Sequence, residues 1–116
     1  MAKRQVAVGA VGLTVAKVGE AETMCHASSD VFIAYPAVGK HRLARIATLS
    51  KSHRISVGID SLAAAKSMQD AAASHSCKLG ILVDLEVGFF RTGVGDAKDA
   101  IALCEFVASQ KNLEFR

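Results

Sequence analysis

No apolar run in these 116 residues approaches the roughly 18 that a membrane-spanning helix requires, so no membrane partner is expected. The opening MAKRQVAVGAVG carries basic residues but lacks a long apolar core with a cleavage site behind it. It does not have the pattern of a secretory signal. Cysteine is scarce: Cys25, Cys77 and Cys104 cannot all pair within one chain, and their spacing is not that of a zinc site. A reducing, cytoplasmic setting is the simplest expectation. An excess of one charge sign is also missing, since the net charge is only +3 and the charges are scattered. That balance gives no reason to expect nucleic acid. Linkers, low-complexity tracts and strong repeats of identity are absent too. What remains is 51% hydrophobic and 22% charged, enough apolar side chain for one packed domain.

A repeat of pattern runs through that domain. Apolar or β-branched runs occur at GLTVA (12–16), VFIAY (31–35), RISVGI (54–59) and KLGILVDL (78–85). Each is followed by a segment of helical composition: GEAETMCHA, KHRLARIATLSK, SLAAAKSMQDAAASH and DAKDAIALCEFVASQ. Leu43, Ile46, Ala47 and Ser50 recur at helical spacing, as do Ile101, Cys104 and Ala108. Asp60 or Ser61 can cap the third of these helices and Asp96 the fourth. The final LEFR opens another strand. Alternation of this kind predicts an α/β fold with a parallel sheet and right-handed crossovers.

Side-chain parity separates two faces of that sheet. In KLGILVDLEVG, one face carries Leu79, Ile81, Val83, Leu85 and Val87, and the other Gly80, Leu82, Asp84, Glu86 and Gly88. RISVGID divides into Ile55, Val57 and Ile59 against Ser56, Gly58 and Asp60. GLTVA divides into Leu13 and Val15 against Gly12, Thr14 and Ala16. One face suits a cover of helices, while the other is small and turns polar toward the strand ends. That is the demand of a closed barrel, with helices outside and chemistry at the C-terminal rim. Length points elsewhere, because eight β/α units need about 250 residues. The residues alone leave a piece of a barrel and a complete five-stranded doubly wound domain both open.

The chemistry concentrates in VDLEVGFFRTGV (83–94), which brings Asp84, Glu86 and Arg91 within eight residues. Two carboxylates about 7 Å apart on one strand face repel unless a cation lies near them. Arg91 can return over the strand end and supply it, with Gly88 and Gly93 permitting the tight path. Such an arrangement is either a structural ion pair or a guanidinium held for a ligand oxygen, and spacing does not separate the two.

LTVAKVGEAETM (13–24), VFIAYPAVG (31–39), SVGIDSLAAA (56–65), LGILVDLEVGFFRTGV (79–94) and the closing LEFR resemble, in order, successive strands of the D-threonine aldolase-like enzymes. Those enzymes form, with alanine racemase and the D-serine dehydratases, the barrel class of pyridoxal-phosphate enzymes. The acidic strand running into Gly-x-x-Arg-Thr-Gly-Val is the most specific block. The resemblance implies that residues 1–116 are a fragment of an alanine racemase N-terminal-like domain. The expected fold is then a partial TIM barrel, about strands 2 to 6 of eight.

The resemblance also implies roles. Arg91 is similar to the family arginine that hydrogen-bonds the phenolic oxygen of pyridoxal phosphate, and Asp84 to the anion beside it. Glu86 stands where aspartate is usual, and Phe89 and Phe90 where a less bulky pair is usual. Tyr35, Asp60 and Ser61 lie on the rim as further cofactor-binding candidates, beside plainer roles as a strand stop and a helix cap. No residue matches the family's catalytic lysine, and its metal-binding histidine would lie beyond Arg116. These residues alone are therefore expected to be inactive. His26, His41, His53 and His75 have no second ligand at metal spacing, and Lys40, His41, Arg42 and Arg45 read as a solvated basic helix start.

The expected function is derivation from a pyridoxal-phosphate lyase that splits a small D-β-hydroxy amino acid into glycine and an aldehyde. D-serine dehydratase or racemase chemistry on the same scaffold is the nearest alternative. From other classes stand a non-catalytic remnant that self-associates through open sheet edges and a flavodoxin-like binding domain with a switch in strand order.

Overall fold

The computed structural model describes residues 1–116 as one five-stranded parallel sheet with helices between the strands. The elements run α1 (Ala2–Ala7), β1 (Leu13–Val15), α2 (Val18–Met24), β2 (Asp30–Ile33), α3 (Lys40–Leu49), β3 (Arg54–Ile59), α4 (Leu62–Ser74), β4 (Leu79–Val83), α5 (Ala97–Ser109) and β5 (Leu113–Phe115). Each apolar run of the sequence holds its strand, and α2 to α5 fall where composition places them, whereas α1 is not among the expected helices. No helix is long and apolar enough to cross a membrane.

Strand order in space copies order along the chain, β1-β2-β3-β4-β5, and every neighbouring pair is parallel. Right-handed crossovers that always step the same way put every helix on one face of the sheet. Accordingly α2 packs beside α3, α3 beside α4, and α4 beside α5. There is no switch point in the order, so the flavodoxin-like alternative is corrected here: a doubly wound sheet reverses direction midway, and this one does not. The architecture is that of consecutive units of a β/α barrel.

Parity decides what is buried. Val31, Ile33, Ile55, Val57, Ile59, Leu79 and Ile81 lie on the helix-facing side and are at most 1% exposed. They meet Ala21, Leu43, Ile46, Ala47, Ala65, Met68, Ala72, Leu103 and Val107 from the helices. Full burial of each large aliphatic side chain stabilises by about 1.5–3 kcal/mol relative to exposure. One expectation is overturned: α5 buries Ala100, Leu103 and Val107, while Ile101 is 59% exposed. The register lies one residue earlier than Ile101, Cys104 and Ala108 because α5 is apolar on more than one side.

Helix starts follow local chemistry. Ser61, not Asp60, caps α4, its Oγ accepting the Ala64 N–H at 3.3 Å. Asp96 caps α5 by accepting from Lys98 and Asp99. The face turned away from the helices is lined by small residues, including buried Ser56, Gly58 and Gly80. A Cβ at Gly80 would lie 2.6 Å from Ser56 Oγ and 2.9 Å from Arg116 Nε. The missing side chain lets the Arg116 guanidinium cross β4 and donate to Ser56 Oγ at 2.9 Å.

Candidate cofactor site at the C-terminal rim

Beyond Val83 the chain leaves the sheet in a tight excursion that closes on itself. The Asp84 N–H still donates to Ile59 O at 2.8 Å, extending the β3–β4 ladder by one residue. Val94 N–H then donates to Asp84 O at 2.8 Å, and Glu86 N–H to Val94 O at 3.0 Å. The intervening residues form a loop pinned at its neck. Gly93 sits in that neck at φ +111°, where a Cβ would press on the Glu86 nitrogen and lie 2.5 Å from the Leu85 carbonyl carbon. Phe90, at φ +52°, holds a left-handed conformation uncommon for a bulky residue.

Three carboxylates surround this loop, and each accepts at least one hydrogen bond from it. Thr92 Oγ1 donates to Asp84 Oδ2 at 2.7 Å. Gly93 N–H reaches Asp60 Oδ2 at 3.5 Å. The Glu86 carboxylate receives Arg91 N–H at 3.1 Å on Oε2 and Gly88 N–H on Oε1. The main-chain N–H groups from Gly88 to Arg91 converge on it, that of Phe90 foremost, and hold the Glu86 carboxyl below its ordinary range.

The Arg91 side chain is left uncommitted. The ion pairs of the chain join Arg45 to Glu22, Arg54 to Asp30 and Arg116 to Glu114; none involves Arg91. No ion pair joins Arg91 to Asp84 or Glu86; Asp84 accepts from Thr92 and Glu86 from main-chain N–H groups. Arg91 instead lines a cavity of about 1080 Å³ over the inner sheet face, together with Asp84, Thr92, Tyr35 and Phe89. Phe32, Gly58 and Leu82 form its apolar floor, and Met1 and Gln5 reach its edge. Asp60 and Ser61 lie apart, lining a smaller hollow of about 300 Å³ beside α5.

Of the five candidates, the structure gathers Arg91, Asp84 and Tyr35 in one cavity and places Asp60 and Ser61 in a separate hollow. Sequence reasoning passed over Thr92 and Phe32. Phe32 was legible from strand parity, since it shares the inner face with Gly58 and Leu82. Thr92 carried no signal, because its partner depends on the fold of the loop.

These residues could hold a planar aromatic ring with one anionic oxygen at Arg91, the other charged side chains of the lining being Glu20, Asp84 and Glu86. The cavity offers an apolar floor for a ring face and one guanidinium with its hydrogen-bonding capacity unspent, the donor a phenolate oxygen requires. The basic start of α3 takes another role, with Arg45 making a two-pronged contact to Glu22 at 2.8 and 2.6 Å. That contact holds the Glu22 carboxyl below its ordinary range and raises Arg45.

Known proteins resemble this chain over nearly its whole length. The alanine racemase N-terminal domain matches residues 1–116. A D-threonine aldolase of Arthrobacter sp. is 32% identical over 106 residues, covering 90% of this chain and 28% of that enzyme. A 3-hydroxy-D-aspartate aldolase of Paracoccus denitrificans is 28% identical over 110 residues, with 93% and 28% covered. The crystal structure of D-threonine aldolase from Filomicrobium marinum superposes with a TM-score of 0.95 at 33% identity, over 98% of this chain and 31% of that one. Alanine racemase of Clostridium difficile 630 shares the fold at a TM-score of 0.81 and 16% identity, over 99% of this chain and 30% of its own. The chain thus spans under a third of the length of these relatives.

Proposed function

The chain belongs to the alanine racemase N-terminal domain family, and from that membership we propose that its rim cavity is part of the pyridoxal-phosphate site of an aldolase acting on D-β-hydroxy amino acids. The observation that carries this reading is the uncommitted Arg91 guanidinium in the cavity. Support comes from the match to D-threonine aldolase at 33% identity and a TM-score of 0.95. Pyridoxal phosphate, when bound, supplies the electron sink that lets the Cα–Cβ bond break to glycine and an aldehyde.

The work assigned to this chain is binding and orientation. Arg91 donates to the phenolic oxygen and favours its ionised form, a charge-assisted contact of about 1.5–3 kcal/mol. Asp84, held by Thr92, lines the same cavity as that guanidinium without pairing with it. Phe32, Leu82 and Tyr35 offer apolar surface to the ring and screen it from water. No lysine lines the cavity, so the amine that would hold the cofactor covalently is not assigned to it.

Pyridoxine 5'-phosphate, which keeps the phenol and phosphate but has no aldehyde, tests the binding role. Its ring absorbance reports phenol ionisation, and Arg91→Ala should weaken binding at least tenfold and favour the neutral phenol. Substrate class is tested by exchanging residues 1–116 for the matching segment of the Filomicrobium marinum D-threonine aldolase. Glycine release from D-threonine should persist in the hybrid and fall with Arg91→Ala. Binding that ignores Arg91 would sink the cofactor reading.

A further inference from the structure

We propose that Glu86 is the positioning residue for Arg91: its carboxylate, by gathering the main-chain N–H groups of the loop, sets where the guanidinium stands in the cavity while leaving that guanidinium unpaired. The inference rests on the proposed cofactor site and assigns a residue that acts there without touching the ligand.

Four features of the geometry support it. The carboxylate binds both ends of a four-residue arc, with Oε1 taking Gly88 N–H and Oε2 taking Arg91 N–H. One side chain thereby fixes the backbone from which the arginine projects. The arc includes Phe90 at φ +52°, a conformation an unrestrained loop would relax. The neck is closed by Val94 N–H on Asp84 O and Glu86 N–H on Val94 O, so Glu86 is tied down through its own backbone as well. Finally, Arg91 makes no ion pair with Asp84 or Asp60, which accept instead from Thr92 Oγ1 and Gly93 N–H.

The division of labour has a physical reason. A guanidinium held by a direct ion pair spends its donors on the protein and gains little in exchanging them for a ligand. Restraining the backbone instead supplies order without neutralising the charge, which is the condition for preorganised electrostatics. A carboxylate suits the task because both oxygens accept. In Glu86→Gln one of the two acceptors becomes a donor, and the arc loses an end. In Glu86→Asp both acceptors survive on a shorter arm.

The test uses residues 1–116 with and without pyridoxine 5'-phosphate. In the ligand-free chain, the Nε–Hε resonance of Arg91 should move in Glu86→Gln and return toward the wild-type position in Glu86→Asp. Amide exchange at Gly88–Arg91 should quicken at least tenfold in Glu86→Gln, with β3 and α4 unchanged. With the ligand, Glu86→Gln should weaken binding about fivefold in the wild-type background and not at all in Arg91→Ala, because a residue acting through another has no effect once that other is gone. An unmoved Arg91 resonance, or equal losses in both backgrounds, overturns the inference. If Arg91→Ala leaves binding intact, the cofactor reading fails, and the ligand-free resonance and exchange still decide whether Glu86 positions the arginine.

Discussion

Thr92 and Asp84 stand eight residues apart in sequence and 2.7 Å apart in space, hydroxyl donating to carboxylate across the neck of the rim loop. The contact orients the half-buried acid that shares a cavity with Arg91. Thr92→Val keeps the shape and removes the donor. It should destabilise the fold by about 1 kcal/mol in urea unfolding, below the roughly 1.5–3 kcal/mol of a hydrogen bond to a charge because solvent partly screens this one. Thr92→Ser should retain most of the stability, and equal losses in the two variants would exclude the hydroxyl as the cause.

Gly93 is the position where the loop least tolerates a side chain. In Gly93→Ala the new methyl meets backbone atoms of Leu85 and Glu86 rather than a yielding side chain, at a φ that alanine disfavours. The neck must open, so the Leu85–Val94 bridge should be lost. The expected cost is about 2 kcal/mol or more. Amide exchange at Glu86 and Val94 reports it directly, and protection unchanged from wild type would contradict the packing described.

Acid should loosen the rim loop before it unfolds the sheet. The Glu86 carboxyl is held below its ordinary range by main-chain donors. Its stabilisation is therefore complete above the unfolded-state value of about 4.3 and lost as pH falls through the lower folded value. Glu22, lowered by its hydrogen bond to Arg45, follows the same sign between α2 and α3. Amide exchange at Gly88–Arg91, corrected for intrinsic rate, should accelerate on acidification in wild type and show no such step in Glu86→Gln. A step that persists in the variant would assign the transition to another acid.

Open sheet margins favour association. β1 and β5 each pair on one side only, leaving backbone donors and acceptors unpaired along short strands. Self-association should appear in light scattering as a mass that rises with protein concentration. Lysine placed at Thr14 or Phe115, on β1 and β5, should oppose it. A constant monomer mass at the highest attainable concentration would contradict the expectation.

Much of the fold was legible because parallel strands advertise their burial. Val31, Ile33, Val57, Ile59, Leu79 and Ile81 are aliphatic at every second position, and all face the helices. The register of α5 was harder to see, since AIALCEFVAS supplies apolar residues on more than one stripe and only contact with the sheet selects Ala100, Leu103 and Val107. At the rim, sequence placed Asp84 and Arg91 together and left open whether they pair, and they do not. Main-chain N–H groups, which the sequence does not display, claim Glu86 and Asp60, and a hydroxyl claims Asp84. Where those donors point depends on three positive φ angles, at Gly88, Phe90 and Gly93. That information exists only once the backbone has been built.

Because each strand lies beside the one that precedes it in the chain, the sheet has the character of a row rather than a weave. A further β/α unit can be laid against either flank without disturbing any pairing already made or threading one segment through another. A polypeptide arranged this way can acquire order one β/α unit at a time, each unit using the last as its template.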